Sequence, residues 1–124
     1  MIKTFGLTHV AVAVRDVDRA STFYRKVFGA VVVYKQDGFV QLQTPGARDV
    51  LVFEKQPTRA GKSGGIAHFG FRLQNPEDID AAARAVKKAG GTVKERLRDR
   101  DLVRVADAGG SPGSAGTPST ACGI

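Results

Sequence analysis

A chain of 124 residues is one domain, or two half-domains sharing a core, because a unit of about 60 residues is marginal by itself. Its apolar fraction of 42% suits a globular interior, and no stretch is long and apolar enough to expect a membrane span. The net charge of +7 admits nucleic acid or small anions as partners. The basic residues are scattered over helix faces and loops without interleaved exposed aromatics, which argues against nucleic acid and leaves small anionic substrates. The single cysteine, Cys122, rules out an intrachain disulfide and fits a reducing, cytoplasmic setting. The N-terminal run has neither the length nor the cleavage region of a signal peptide.

In chain order, Leu7 to Val14 alternates as a strand. Thr8, Val10, Val12 and Val14 fall on one face, and His9, Ala11 and Ala13 on the other, which leaves room beside the imidazole. A helix follows, capped by Asp16 or Asp18, with Val17, Ala20, Phe23, Tyr24, Val27 and Phe28 as its apolar stripe and Gly29 as its stop. Phe23 and Tyr24 are helix packing residues. Ala30–Lys35, Phe39–Thr44 and Val50–Glu54 are expected as three further strands. Gln36-Asp37-Gly38 makes the turn between the first two, and Pro45-Gly46 breaks the chain before the third.

The second half repeats the first. Gly65-Ile66-Ala67-His68-Phe69-Gly70-Phe71 echoes Gly6-Leu7-Thr8-His9-Val10-Ala11-Val12, so the only two histidines of the chain stand at matching points. Histidines on facing strands are a common way to hold a divalent metal, whereas a lone strand histidine is ordinarily a hydrogen-bonded core or surface residue. Asn75 is expected to cap a second helix, with Pro76 at its first position and Ile79, Ala82, Ala83, Val86 and Ala89 on its inner face. Gly91–Arg96 and Leu102–Ala106 are expected as strands. Residues 58–65 are a polar, glycine-rich linker between a first module at 1–57 and a second at 66–107. From 108 to 124 there is no periodicity, and glycine and proline are abundant. The second module is therefore expected to be incomplete, its last strand in doubt and its tail irregular or disordered.

Two βαβββ units, each with a histidine early in its first strand, resemble the vicinal oxygen chelate superfamily of glyoxalases, bleomycin-resistance proteins and ring-cleaving dioxygenases. The segment from Leu7-Thr8-His9 through Asp16-Val17-Asp18 to Phe23-Tyr24 and Gly29 carries most of the likeness, and Ile66-Ala67-His68-Phe69 opens the second unit. The resemblance covers about residues 5 to 107. It implies an α+β fold in which two βαβββ modules form a cupped, mostly antiparallel eight-stranded sheet with the helices outside. It implies one divalent metal, Fe, Zn, Mn, Ni or Co, with His9 and His68 as ligands.

A third ligand in this family is a glutamate on the last strand, after an Asp-Pro-Asp-Gly-type turn. Here Val105-Ala106-Asp107-Ala108-Gly109-Gly110 stands in that place without the proline, and no Asp or Glu follows Asp107. One extra base before the Ala108 codon is compatible with a restored Val-Ala-Asp-Pro-Glu-Gly turn. The tail is therefore either as encoded or frameshifted, and the coding DNA separates the two. Some family members take a fourth ligand from the last strand of the first module, at a position matching Leu51. Glu54 is the nearest carboxylate, on the opposite strand face from Leu51.

Two imidazoles and a carboxylate leave open positions for a substrate with adjacent oxygens, which supports lyase, isomerase or dioxygenase chemistry. The expected substrate is a small oxygen-rich or electrophilic metabolite, and a homodimer is expected. Arg72 shares the His68 face and either holds an anionic group or reaches solvent. Gln41 and Gln43 either line the cup or form a wet outer face. Two alternatives stand beside the enzyme: a metal-free, ligand-sequestering module of the bleomycin-resistance type, and a catalytically compromised chain lacking its carboxylate ligand.

Overall fold

The structure is a computed structural model that describes residues 1–62, 64, 69–97, 102–106 and 121–123. The chain divides into two compact units, residues 1–60 and 61–124. Each unit is a mixed four-stranded sheet with one α-helix, which makes the fold α+β.

The first unit runs β1 (Val10–Val14), α1 (Val17–Phe28), β2 (Val31–Gln36), β3 (Phe39–Gln43) and β4 (Leu51–Lys55). Its sheet order is β1-β4-β3-β2, with β1 and β4 parallel and the other pairs antiparallel. Strand β1 is shorter than expected. It is an edge strand whose ladder opens where Val10 N–H donates to Val50 O at 3.1 Å, and the preceding Leu7, Thr8 and His9 have no strand partner among the described residues. Helix α1 begins where Asp16 Oδ1 accepts the Arg19 N–H at 2.9 Å, which satisfies one of the free amides of the first turn. It ends at Gly29, whose φ of 65° lies in the left-handed region that glycine enters without strain.

Helix α1 packs on β3 and β4. Phe53 stacks against Tyr24 at 4.9 Å between ring centroids, and Val40, Leu42 and Phe53 are almost wholly buried with Ala20 and Phe23. Strand β2 is the other edge, and all of its residues are exposed. A register shift between Val32 and Tyr34 interrupts its pairing with β3.

The second unit contains β5 (Phe69–Gly70), a 3-10 turn (Pro76–Asp78), α2 (Ile79–Lys88), β6 (Thr92–Leu97), β7 (Leu102–Ala106) and β8 (Ala121–Gly123). Its sheet order, β5-β8-β7-β6, repeats that of the first unit. Again the first and last strands are parallel, with Phe69 opposite Cys122 and Gly70 opposite Gly123. The helix starts later than expected. Asn75 O accepts the Asp78 N–H at 3.0 Å, an i to i+3 bond that makes a 3-10 turn, and the α-helix proper begins at Ile79. Ile79 and Val86 are its buried residues, and α2 packs against β6 and β7.

The last strand of this unit, in doubt from the sequence, is present: three residues of the tail expected to be irregular, Ala121–Gly123, form β8. The expectation for the rest of the tail, at 107–120 and 124, lies outside the described residues, as do Ile66, Ala67 and His68.

Candidate functional site

Phe53 against Tyr24 fixes which side of the first sheet meets the helix. Strand alternation and the pairing register then assign the opposite face. One row across all four strands is Tyr34, Gln41, Val52 and Ala11, and the next is Gln36, Phe39, Glu54 and Ala13. His9 follows the parity of Ala11 and Ala13, one step beyond the β1–β4 ladder. Gln43 has the parity of Gln41, so both glutamines fall on this face, half-buried. Leu51, the position that the resemblance equates with a fourth ligand, falls on the α1 side, in register with Val10 and Leu42.

His9 is exposed, and its Nδ1 is 2.9 Å from Thr8 Oγ1. In the tautomer whose Nδ1–H donates to that hydroxyl, the Nε2 lone pair is free for a cation or an electrophile. No group of three His, Cys, Asp or Glu is assembled among the described residues. Glu54 does not join His9. Its register partner is Ala13, four residues along the chain from His9, which is about 13 Å along a strand. One imidazole is too few donors for a protein metal site. His68, the other expected ligand, lies outside the described residues. Arg72 stands two residues beyond β5, exposed.

Several neighbours of the site are not signalled by the sequence pattern. Gln56 Nε2 donates to Glu54 Oε2 at 2.6 Å, and Tyr34 Oη donates to Gln36 Oε1 at 3.0 Å. The Tyr34 and Phe39 rings meet edge to face, 6.0 Å between centroids. At the His9 end, Asp49 ties the loop between β3 and β4 by accepting from Thr44 N at 2.9 Å and Thr44 Oγ1 at 2.7 Å. The Arg48 guanidinium stands 5.7 Å from the centroid of the Phe5 ring. Hairpin register brings the tyrosine, phenylalanine and Glu54 together, and only the alternation of Gln41 and Gln43 could have hinted at it.

Two βαβ-type units with matching strand order define a class of small α+β proteins built by repetition. The family model of the Glyoxalase/Bleomycin resistance protein/Dioxygenase superfamily matches residues 6–111, and the chain belongs to that superfamily. An uncharacterized protein of Pseudomonas aeruginosa is 32% identical over 91 residues, covering 68% of this chain and 65% of the relative. A probable trivalent organoarsenical cleaving enzyme of Bacillus subtilis is 29% identical over 91 residues, covering 72% of this chain and 60% of the relative. The chain thus spans less than two thirds of the length of either relative. The fosfomycin resistance protein FosX of Listeria monocytogenes, solved with Mn(II) and sulfate, superposes with a TM-score of 0.73 at 16% identity, over 98% of this chain and 89% of that one. At that identity the likeness shows the fold. Among the described residues, no helix is long and apolar enough to cross a membrane.

Proposed function

We propose that this chain is a glyoxalase- or dioxygenase-like protein in which His9 and His68 hold one divalent metal. Its substrate is a small oxygen-rich or electrophilic metabolite, received on the sheet face that carries Gln41 and Gln43, with Arg72 as a contact for an anionic group. In this reading two βαβββ modules, the first at 1–57 and the second opening at Ile66, close into one cupped eight-stranded sheet. The observation that carries the proposal is His9 itself: its Nδ1 is engaged by Thr8, and small Ala11 and Ala13 continue its face. When bound, the metal would polarise adjacent substrate oxygens. With His9 and His68 as the ligands of this reading, two imidazoles hold the ion, and affinity should be modest.

Manganese, present in the FosX structure, heads a candidate set that also includes iron, zinc, nickel and cobalt. A homodimer goes with this proposal, supported by the exposed edge strand β2, where Val31, Val32, Val33 and Tyr34 are 41–50% exposed. A cytoplasmic setting goes with the single cysteine. Reconstituting purified protein with Mn²⁺, Fe²⁺ or Zn²⁺ and measuring bound metal tests the site. One ion per chain is expected in the wild type, with loss in both His9→Ala and His68→Ala. An unloaded wild type, or full loading of both variants, overturns it.

A second reading, metal-free sequestration of a ligand, is favoured by one observation, the Tyr34–Phe39 ring pair on the same face. An unloaded wild type that still binds flat organic ligands would select that reading.

A further inference from the structure

Glu54 is a carboxylate with unused capacity, set beside aromatic rings. It is half-buried on the face away from α1, and Gln56 Nε2 is its hydrogen-bond partner, at 2.6 Å. An ionised carboxylate offers about four acceptor positions, so most of its capacity is unfilled by this bond. Phe39 is its register partner on β3, and the Phe39 ring meets Tyr34 on the next strand. The chain has 19 Lys and Arg residues, yet none falls in the two rows that cross this face. Lys35, the nearest lysine on β2, belongs to the other side, where its Nζ reaches Asp18 of α1 at 2.7 Å. Lys55, next to Glu54 in the chain, has the parity of Phe53 and so the α1 side. A strongly basic protein thus has no Lys or Arg in the two ladder rows of this face, with Arg15 continuing the Ala13 parity one residue beyond β1, and places there a carboxylate beside the Phe39 ring. That combination suits an organic cation, which gains a charge-assisted hydrogen bond from the carboxylate and attraction to the ring faces.

We propose that the Glu54 end of this face is a subsite for the ammonium group of an amine-bearing ligand. The subsite stands about 13 Å along the strand direction from His9. If the metal proposal holds, the ligand carries its amine at the end remote from its reacting oxygens, and that span is the one part of the inference that rests on the His9–His68 reading.

The probe is a dansyl group on an aliphatic chain ending in a primary amine, compared with the same molecule N-acetylated, with binding followed by fluorescence in metal-free protein. The wild type should prefer the amine by about tenfold, the lower end for a hydrogen bond to a charged group because Glu54 is only partly buried. Glu54→Gln, which keeps the side-chain shape, should bind both forms equally while circular dichroism shows it folded. His9→Ala should keep the wild-type preference, which separates this subsite from the metal proposal. Equal binding of the two probes by the wild type overturns the inference, and so does a preference that survives in Glu54→Gln.

Discussion

Asp16 and Asp18 are both acidic residues at the start of one helix, yet the structure uses them differently. Asp16 sits outside the first turn with extended backbone, and its carboxylate accepts a backbone amide that has no other partner in the helix. Asp18 reaches across to Lys35 with side chains 77% and 57% exposed, where water screens the pair. Replacing Asp16 with Ala should therefore cost about 1 kcal/mol of stability. Asp18→Asn should cost no more than about 0.5 kcal/mol. Urea denaturation of the two variants side by side measures the difference, and equal losses would show that the amide bond of Asp16 is not what starts the helix. His9 belongs to the same scale: in the tautomer whose Nδ1–H donates to Thr8 Oγ1, the Nε2 lone pair remains available.

At the scale of elements, α1 carries the core of the first unit. Phe53 is 1% exposed and stacks on Tyr24, so Phe53→Ala leaves a cavity under the helix and should cost about 3–5 kcal/mol. A thermal melt or urea titration reads that loss, and a cost below 1 kcal/mol would mean the helix can collapse onto the sheet.

Helix α1 was fully legible in the sequence, because a capping aspartate, an apolar stripe and a terminal glycine are local signals. The start of α2 was displaced by a local competition: the Asn75 carbonyl makes a 3-10 turn where the pattern suggested a side-chain cap. The start of β1 and the existence of β8 were not legible, since a strand needs a partner and Ala121-Cys122-Gly123 has no alternation of its own. In the site, Gln41 and Gln43 could be assigned to one face by period. Glu54, Phe39 and Tyr34 could not be grouped, because only the hairpin register and its shift at Val33 bring them into adjacent rows.

At the scale of the whole molecule, the repeat is a repeat of topology: each unit places its last strand between its first strand and the rest of its sheet. Among the described residues, strand β5 is joined to its sheet only through β8, which pairs with β7 on its other side. Removing residues 121–124 should therefore detach β5 and unprotect one edge of β7. Amide hydrogen exchange should show protection lost around Phe69–Gly70 and along β7, with β3 and β4 unchanged. Protection that persists in β5 would show that something other than β8 holds it.

The placement of β4 and β8 also sets a schedule for synthesis. A chain emerging from the ribosome can complete its first sheet once Lys55 is free, but the second must wait for Gly123. Throughout that interval Phe69–Gly70 lacks the strand it pairs with among the described residues, so β5 is among the last strands of the second unit to be secured.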